Sequence, residues 1–199
     1  YNGPETDARA SYTRYYQYVG SVMQNKKCRE HIKGIAFQWA GKFAIAQAAE
    51  DYPEVAFIHS EGECGDGNNT WDYAMYTYEM YHHYFKNGAR ANVYWNMALD
   101  NDGLSSWGWR QNSLISVKNG EYRYNPEFYL VKHFAKFVKR GAVMLATTGD
   151  FSSNTTVFEN ADGSRVAVIV NPFGFEKTVS LENTSYTLKP RSFNTIVLD

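Results

Sequence analysis

The sequence predicts a mixed fold in which an α/β part is followed by an all-β part. Up to about residue 139, apolar strand-like runs alternate with amphipathic helical segments. Beyond Gly141, short segments rich in Val and Thr are separated by turns such as Asn160-Ala161-Asp162-Gly163. Alternation of strands and helices is typical of parallel strands with helices packed outside, whereas short strands between turns are typical of antiparallel sheets. We therefore predict two domains, 1–140 and 141–199.

The composition is that of a globular chain, and it excludes several classes of partner. The 199 residues are 44% hydrophobic and 21% charged, with 20 Lys and Arg against 21 Asp and Glu. This charge balance provides no electrostatic attraction to a phosphate backbone, so nucleic acid is not an expected partner. No apolar run approaches the roughly 20 residues that span a bilayer, so no membrane span is expected. The 16 Tyr, 12 Phe and 5 Trp supply flat side chains that fill cores or stack on sugar rings.

The α/β part is predicted to begin with a helix over residues 7–25, where apolar residues recur every three or four positions. Gly88 is expected to end the predicted helix 70–87. Asn125 and Pro126 are expected to be the N-cap and the first residue of the predicted helix 125–139. The near-continuous apolar strands indicate that both faces of the parallel sheet are buried. In chain order the further predicted elements are strand 34–39, helix 42–50, strand 55–60, helix 70–87, strand 91–98, a long polar loop and helix 125–139.

The all-β part is predicted to contain six short antiparallel strands. Each strand is bounded by turn residues such as Asn171-Pro172-Phe173-Gly174, which is the pattern of antiparallel all-β domains. The predicted strands cover residues 142–148, 155–159, 165–171, 176–181, 184–189 and 193–198.

Side chains able to bind a ligand follow the carboxyl ends of three predicted parallel strands, where ligands bind in α/β folds. The strands end in Gln38-Trp39, Ser60-Glu61 and Tyr94-Trp95-Asn96. Together they would supply a stacking surface, a carboxylate and a hydrogen-bonding amide to one pocket. That combination suits a sugar.

No cofactor and no metal site are predicted. Cys28 and Cys64 are too few for a metal cluster, and whether they pair is left open. The five histidines show no ligand spacing, and the C-x-x-C and H-E-x-x-H motifs do not occur. His59 is interpreted as a buried, hydrogen-bonded residue rather than as a catalytic base.

Several motifs, in order, resemble the second half of a glycoside hydrolase family 30 enzyme of the glucosylceramidase-like group. The resemblance implies that residues 34–39, 55–61 and 91–98 are strands six to eight of a (β/α)8 barrel. The tail from residue 141 is then most of the family's β-sandwich side domain. The motifs are His59-Ser60-Glu61-Gly62-Glu63-Cys64-Gly65-Asp66-Gly67 with Asn69-Thr70-Trp71, Tyr94-Trp95-Asn96-Met97, Ser106-Trp107-Gly108-Trp109-Arg110-Gln111-Asn112-Ser113 and Tyr124-Asn125-Pro126-Glu127-Phe128-Tyr129.

The resemblance also implies a retaining mechanism, in which one Glu attacks the anomeric carbon and a second Glu protonates the leaving oxygen. The family's nucleophile ends strand seven in a Ser/Thr-Glu motif, which corresponds to Ser60-Glu61. Glu63 is the rival, but Gly62 favours a turn there, and two neighbours on one strand cannot flank a bond from opposite sides. Glu61 has two structural alternatives, as a cap of the helix near Thr70 or as an ion-pair partner of Arg110.

The predicted substrate-binding residues include two tryptophans at strand ends. The family places a substrate-contacting tryptophan at Trp95, followed here by Asn96. Trp39 ends the first strand, although the family's next residue is often aromatic and here it is Ala40. Packing in the barrel core is the alternative for both tryptophans.

The remaining predicted contacts lie in the Gly/Ser-rich loop over the strand ends. Trp107 and Trp109 suggest a rim of further sugar subsites, since loops at this position commonly carry function. Arg110 and Asn112 either contact sugar hydroxyls or brace the loop.

The retaining glycosidase mechanism that this resemblance implies requires a closed barrel and a second catalytic Glu. A (β/α)8 barrel takes about 250 residues, and no Asn-Glu-Pro triplet, the family's acid/base motif, occurs in the sequence. We therefore expect a retaining β-glycosidase acting on β-glucosides or β-glucans, secreted or lysosome-like, of which this chain supplies the nucleophile half. Alone it should be inactive, and its expected partner is a complementary N-terminal barrel segment or a second copy of itself.

Two other classes of function compete with the glycosidase. One is a non-catalytic carbohydrate-binding or interaction module, built from the sandwich and the aromatic loop. The other is a generic α/β hydrolase, which is disfavoured because the sequence contains neither a G-x-S-x-G elbow nor a P-loop.

Overall fold

The computed structural model describes residues 19–100 and 103–198. Most of the predicted helix over residues 7–25 lies outside the described residues. Contacts between Cα atoms divide the chain into two compact units. The first unit comprises Tyr1–Glu63 and His83–Trp95, and the second comprises Cys64–His82 and Asn96–Asp199. The boundary between residues 140 and 141 stays a prediction about folding domains.

The first unit is built on a three-stranded parallel sheet in the order β1-β2-β3. This arrangement confirms that the first strands of the chain run in parallel with helical segments between them. Its elements are α1 (Ser21–Gln24), α2 (Lys26–Arg29), β1 (Gly34–Gln38), a 3-10 helix (Trp39–Phe43), α3 (Ile45–Asp51), β2 (Ala56–Glu61), the last turn of α4 (Trp71–Lys86) and β3 (Ala89–Asn92).

One face of this sheet is buried and the other is not. Phe37 and Phe57 are buried, and their ring centroids lie 5.8 Å apart. On the alternate positions Ala36 is exposed and Ile58 is 37% exposed. The expectation that both faces are buried is therefore wrong within the described residues, because successive side chains of a strand point to opposite faces and only one face is covered here.

The third predicted strand is shorter than expected. The prediction covered residues 91–98, but β3 ends at Asn92, and β4 (Ala98–Asp100) pairs instead with β5 (Ile115–Lys118) in the second unit. Asn96 has a φ of 69°, which is left-handed backbone and incompatible with a continuous extended strand.

A hairpin in the second unit occupies part of the segment that was predicted to be a loop. Strands β5 and β6 (Glu121–Tyr124) are antiparallel and are joined by Asn119-Gly120, whose φ angles are 53° and 82°. Two positive φ values are typical of a type I′ turn, for which Asn-Gly is the preferred pair. That dipeptide is the sequence signal by which the hairpin could have been found.

The predicted antiparallel strands of the tail are confirmed. Four strands form a sheet in the order β12-β9-β8-β7, and β10 and β11 form a separate hairpin. The two layers share an apolar core made by residues such as Ala167 and Ile169 of the sheet and Val179 and Leu188 of the hairpin. The strands are β7 (Val143–Leu145), β8 (Thr155–Glu159), β9 (Arg165–Asn171), β10 (Lys177–Leu181), β11 (Thr184–Leu188) and β12 (Ser192–Leu198).

The second unit also contains helix α5 (Pro126–Phe137) and residues 71–82 of helix α4. Helix α5 begins after Asn125 with Pro at its first position, as predicted. In α4, the buried Tyr78 hydroxyl lies 3.2 Å from Thr156 Oγ1 and donates to the Val168 carbonyl at 3.2 Å. Burial raises the pKa of the Tyr78 hydroxyl above its ordinary value, so the group stays a neutral donor. No helix in the described ranges is long and apolar enough to cross a bilayer.

The sandwich core generates a prediction about stability. Ile169 is fully buried, and Ile169→Ala removes three carbon atoms from the core. We expect the free energy of unfolding to fall by about 2 to 5 kcal/mol, measured by urea unfolding followed by circular dichroism. The control is Val197→Ala on β12, where the side chain is 57% exposed and the expected change is below about 0.5 kcal/mol. Equal losses in the two variants would contradict this account of the core.

Candidate active site

A shift in strand register determines which residues meet at the carboxyl end of the parallel sheet. Phe37 pairs with His59, but the next residue, Gln38, pairs with Glu61 rather than Ser60. Ser60 is the extra residue of this irregularity, and its hydroxyl donates to the Phe37 carbonyl at 3.3 Å. Bulges of this kind re-aim side chains and are common beside active sites.

The shift joins Glu61 to Gln38. Gln38 Nε2 donates to Glu61 Oε2 at 2.6 Å, and both side chains are partly buried. Gln38 is itself fixed from behind, because the Tyr84 hydroxyl donates to its carbonyl oxygen at 2.7 Å. One carboxylate oxygen of Glu61 is therefore oriented by a neutral amide. The prediction named Glu61 but missed Gln38 as its partner, although Gln38 ends the neighbouring strand.

Beneath Glu61, His59 is packed as a neutral residue. Its side chain is 1% exposed and its ring is stacked on Tyr84 with centroids 4.0 Å apart. Burial lowers the pKa of His59 to about 4, partly opposed by the hydrogen bond to Asn92. His59 Nδ1 lies 2.8 Å from Asn92 Oδ1. This arrangement agrees with the interpretation of His59 as a buried structural residue.

The two strand-end tryptophans lie on either side of the strand that carries Glu61. Trp39 follows β1 as the first residue of the 3-10 helix, and Trp95 lies three residues beyond β3. Both are partly exposed. The Gly62 N–H donates to the Val93 carbonyl at 3.1 Å, which holds the segment before Trp95 against the end of β2.

This geometry bears on two alternatives, namely Glu63 as the nucleophile and Glu61 as a cap of the helix near Thr70. Strand β2 ends at Glu61, so Glu63 lies outside the parallel sheet. The start of α4 has its own cap, because Thr70 Oγ1 accepts from the Tyr73 N–H at 3.2 Å. The choice of Glu61 as nucleophile nevertheless stays a prediction.

The other predicted site residues belong to the second unit. Trp107 and Trp109 are 67% and 51% exposed, and their rings are stacked with centroids 5.6 Å apart. Arg110 is exposed and forms an antiparallel bridge with Leu104 that closes this loop. Asn96 Nδ2 donates to Gln111 Oε1 at 3.0 Å and to the Asn112 carbonyl at 3.3 Å. Both hydrogens of the Asn96 amide are thus engaged, which leaves its oxygen for a ligand.

Asn112 braces a loop, which was one of its two predicted alternatives. It is fully buried, and its Oδ1 accepts from the N–H groups of Gly67 and Asn69 at 2.8 and 3.3 Å. Its Nδ2 donates to Glu127 Oε1 at 2.7 Å. A side chain at Gly65 would collide with the Asn112 amide at 2.5 Å, so the close approach requires glycine. Residues 64–69 are therefore held by a buried amide.

No metal site is found in residues 19–100 and 103–198, because no three His, Cys, Asp or Glu side chains there form a group able to hold a metal ion. The two cysteines, Cys28 and Cys64, are not joined in a disulfide. The groups that the parallel strands bring together at their carboxyl ends are the Glu61 carboxylate and its amide partner, Gln38.

Comparison with known sequences identifies relatives that are endo-1,6-β-glucanases and glucosylceramidases. Over 110 residues the chain is 31% identical to an endo-1,6-β-D-glucanase, BGN16.3, of Trichoderma harzianum, an alignment covering 50% of this chain and 22% of the relative. Over 172 residues it is 23% identical to the lysosomal acid glucosylceramidase of Mus musculus, covering 75% of this chain and 33% of the relative. The chain thus matches about a third or less of the length of these relatives. No protein-family model matches it.

Comparison with solved structures shows the fold. The structure of SrfJ from Salmonella typhimurium matches with a TM-score of 0.77 at 24% identity, covering 92% of this chain and 44% of that chain. The catalytic domain of the family 30 xylanase C from Talaromyces cellulolyticus matches with a TM-score of 0.63 at 16% identity, covering 96% and 56%. The predicted resemblance to part of a glycoside hydrolase family 30 enzyme is confirmed.

The buried His59 generates a prediction about pH. Its pKa is about 4 in the folded chain and its ordinary value is 6.5, so the unfolded chain binds the proton more tightly. The stability contributed by neutral His59 is fully present above pH 6.5 and is lost as the pH falls towards 4. The loss should be on the order of 3 kcal/mol.

Urea unfolding of the wild-type chain and His59→Gln between pH 4 and pH 7.5 measures this effect. The difference in unfolding free energy between the two should shrink as the pH falls, because the glutamine side chain does not titrate. The control His31→Gln changes an exposed imidazole. A pH dependence that is the same in wild type and His59→Gln would contradict the buried neutral imidazole.

Proposed function

We propose that this chain carries the nucleophile half of the active site of a retaining β-glycosidase. The observation that carries the proposal is Glu61 at the carboxyl end of a parallel strand, with Gln38 Nε2 bound to one of its oxygens at 2.6 Å. Carboxyl ends of parallel strands are where α/β enzymes bind ligands. The relatives support β-glucosides or β-glucans as the substrate class. They also support a secreted or lysosome-like location.

In the proposed reaction the Glu61 carboxylate attacks the anomeric carbon as the bond to the leaving oxygen breaks. A second carboxylic acid donates its proton to that oxygen, and the sugar remains as an ester of Glu61. Water, deprotonated by the same second carboxylate, then displaces Glu61 with net retention. The Gln38 amide orients the oxygen of Glu61 to which it is bound, leaving the other to attack.

The second carboxylic acid is proposed to come from a complementary segment that carries strands one to five of a (β/α)8 barrel. The sequence contains no Asn-Glu-Pro triplet, and the three parallel strands found among the described residues are too few to close a barrel. Two features support a neighbouring segment: among the described residues β1 and β3 each pair with one strand only, and Ile58 on the uncovered face of the sheet is 37% exposed. Open edges and apolar faces invite pairing with another segment or a second copy.

The proposed sugar contacts follow from exposure and hydrogen-bonding capacity. Trp39 and Trp95 are partly exposed and follow the strands on either side of the strand that ends in Glu61. Asn96 has an oxygen free for a sugar hydroxyl, whereas its two amide hydrogens bind the chain. Trp107 and Trp109, exposed and stacked on each other, are proposed as further sugar subsites, with Arg110 beside them.

An activated glycoside tests Glu61 without the missing acid. In 2,4-dinitrophenyl 2-deoxy-2-fluoro-β-D-glucoside the leaving group needs no protonation, and fluorine slows hydrolysis of the glycosyl-enzyme. We expect the chain to gain one fluoroglucosyl group on the peptide containing Glu61, detected by mass spectrometry. Glu61→Gln should not react, because its amide is a poor nucleophile.

Glu63→Gln is the matched control and should react like the wild-type chain. Reaction at Glu63, or unchanged labelling of Glu61→Gln, would show that the nucleophile has been misassigned. An unactivated β-1,6-glucan should give no measurable product with this chain alone. Hydrolysis of that polymer would contradict the proposed division of the site.

The role of Gln38 is tested by Gln38→Leu. Loss of the hydrogen bond should slow fluoroglucosylation about 10- to 100-fold, in the range seen when a single orienting group is removed from an active site. The control Gln47→Leu removes an amide that binds Asp51 on α3, and its labelling rate should stay within about twofold of wild type. Equal rates for both variants would leave Gln38 with no part in orienting Glu61.

A further inference from the structure

A cavity of about 340 Å³ opens on the surface of the second unit, and its walls are largely aromatic. This volume is within the range of small-molecule sites. The cavity is lined by residues from four elements, which are the start of α4, the end of β6, helix α5 and strand β12. The lining residues are Trp71, Tyr124, Pro126, Tyr129, His133 and Phe193.

The rings of this cavity are held in place while their faces remain accessible. Trp71 packs on Phe193 with centroids 4.3 Å apart, and Tyr124 stacks on Phe128 at 4.0 Å. Tyr124 and Tyr129 are nevertheless 41% and 49% exposed. Rigid aromatic faces open to solvent give contact area at little cost in conformational entropy.

The charges around the cavity favour a neutral ligand. The Arg191 guanidinium lies 5.9 Å from the centre of the Trp71 ring and is paired with Asp72 at 2.5 Å. Burial, with a smaller contribution from Lys132, lowers the pKa of His133, so its imidazole is neutral at pH 7. A cationic ligand would find no carboxylate among the lining residues, and the nearby Asp72 is already paired with Arg191. An anionic ligand would have to compete with Asp72 for Arg191.

The polar groups of the lining favour hydroxyls over peptide carbonyls. The Tyr124 hydroxyl already shares a hydrogen bond with Tyr122, whereas the Tyr129 hydroxyl can donate and accept. His133 Nδ1 lies 2.7 Å from Thr195 Oγ1, which leaves Nε2 for a ligand. The indole N–H of Trp71 is buried, without a hydrogen-bond partner in the described part of the chain, so it can donate neither to a carbonyl nor to a hydroxyl in the cavity. Sugar hydroxyls, which also donate and accept, match these groups better than a Pro-rich backbone does.

We propose that this cavity binds a neutral pyranose ring, as a surface site that holds a polysaccharide by stacking and hydroxyl contacts. All its lining residues belong to the second unit, whereas Glu61 belongs to the first. The choice of a glucose polymer rests on the proposed function; the preference for a neutral hydroxylated ring rests on the cavity alone. The site would retain the chain on its polymer without taking part in bond cleavage.

Calorimetric titration with a β-1,6-linked glucotriose tests the proposal on the intact chain. Tyr129→Ala should weaken binding about tenfold or more, because it removes an exposed stacking face. Tyr129→Phe should retain most of the affinity. The matched control Phe175→Ala removes an exposed ring, 60% accessible, that lies outside the cavity and should bind like wild type.

Further variants separate this site from the proposed catalytic one. Glu61→Gln should keep the binding that Tyr129→Ala loses. In Trp107→Ala only the saccharide contact proposed for that tryptophan should be lost, and the Tyr129-dependent component of binding should remain. Absence of binding to the wild-type chain, or binding unchanged in Tyr129→Ala, would overturn the proposal. So would Tyr129-dependent binding of a Pro-rich peptide in place of the sugar. If fluoroglucosylation of Glu61 fails while Tyr129-dependent sugar binding persists, the glycosidase proposal fails and the surface site stands.

Discussion

The slip of one residue between β1 and β2 is the constraint on which the candidate site depends. Regular pairing after Phe37 and His59 would have set Gln38 against Ser60. The slip sets it against Glu61 instead, and a hydrogen bond of 2.6 Å joins the two side chains. A bulge leaves one residue outside the regular ladder, and here the Ser60 hydroxyl compensates by bonding the Phe37 carbonyl.

Tyr84 and His59 pack behind the register shift between β1 and β2 and hold it in place without adding a charge. Tyr84 both stacks on the neutral His59 ring and donates to the Gln38 carbonyl, so one helical side chain supports two adjacent strands. A charged imidazole at this depth would have to be desolvated, which is why its pKa is low. The polar atoms near Glu61 are thus mostly neutral dipoles. Such dipoles can orient a carboxylate without neutralising it.

The aromatic side chains of this chain serve two different purposes. Tyr78 and Tyr84 are completely buried and use their hydroxyls to bond backbone or threonine oxygens. Trp107, Trp109 and Tyr129 instead keep about half or more of their surface accessible. Exposed aromatic faces that lie together can mark ligand-binding surfaces. The saccharide contacts proposed for Trp107, Trp109 and Tyr129 rest on this exposure.

The sequence by itself determined the alternation of the first parallel strands with helices, the antiparallel tail and the resemblance to family 30, because periodicity, turn residues and short motifs are local properties. It also placed Glu61 at a strand end. Tertiary structure decided the rest: the Gln38 partner depends on a one-residue slip between two strands, and the early end of β3 depends on the backbone of Asn96. The cavity of the second unit likewise joins Trp71, Tyr124 and Phe193, which are far apart in sequence. Such pairings are set by packing between distant segments, and no local pattern encodes them.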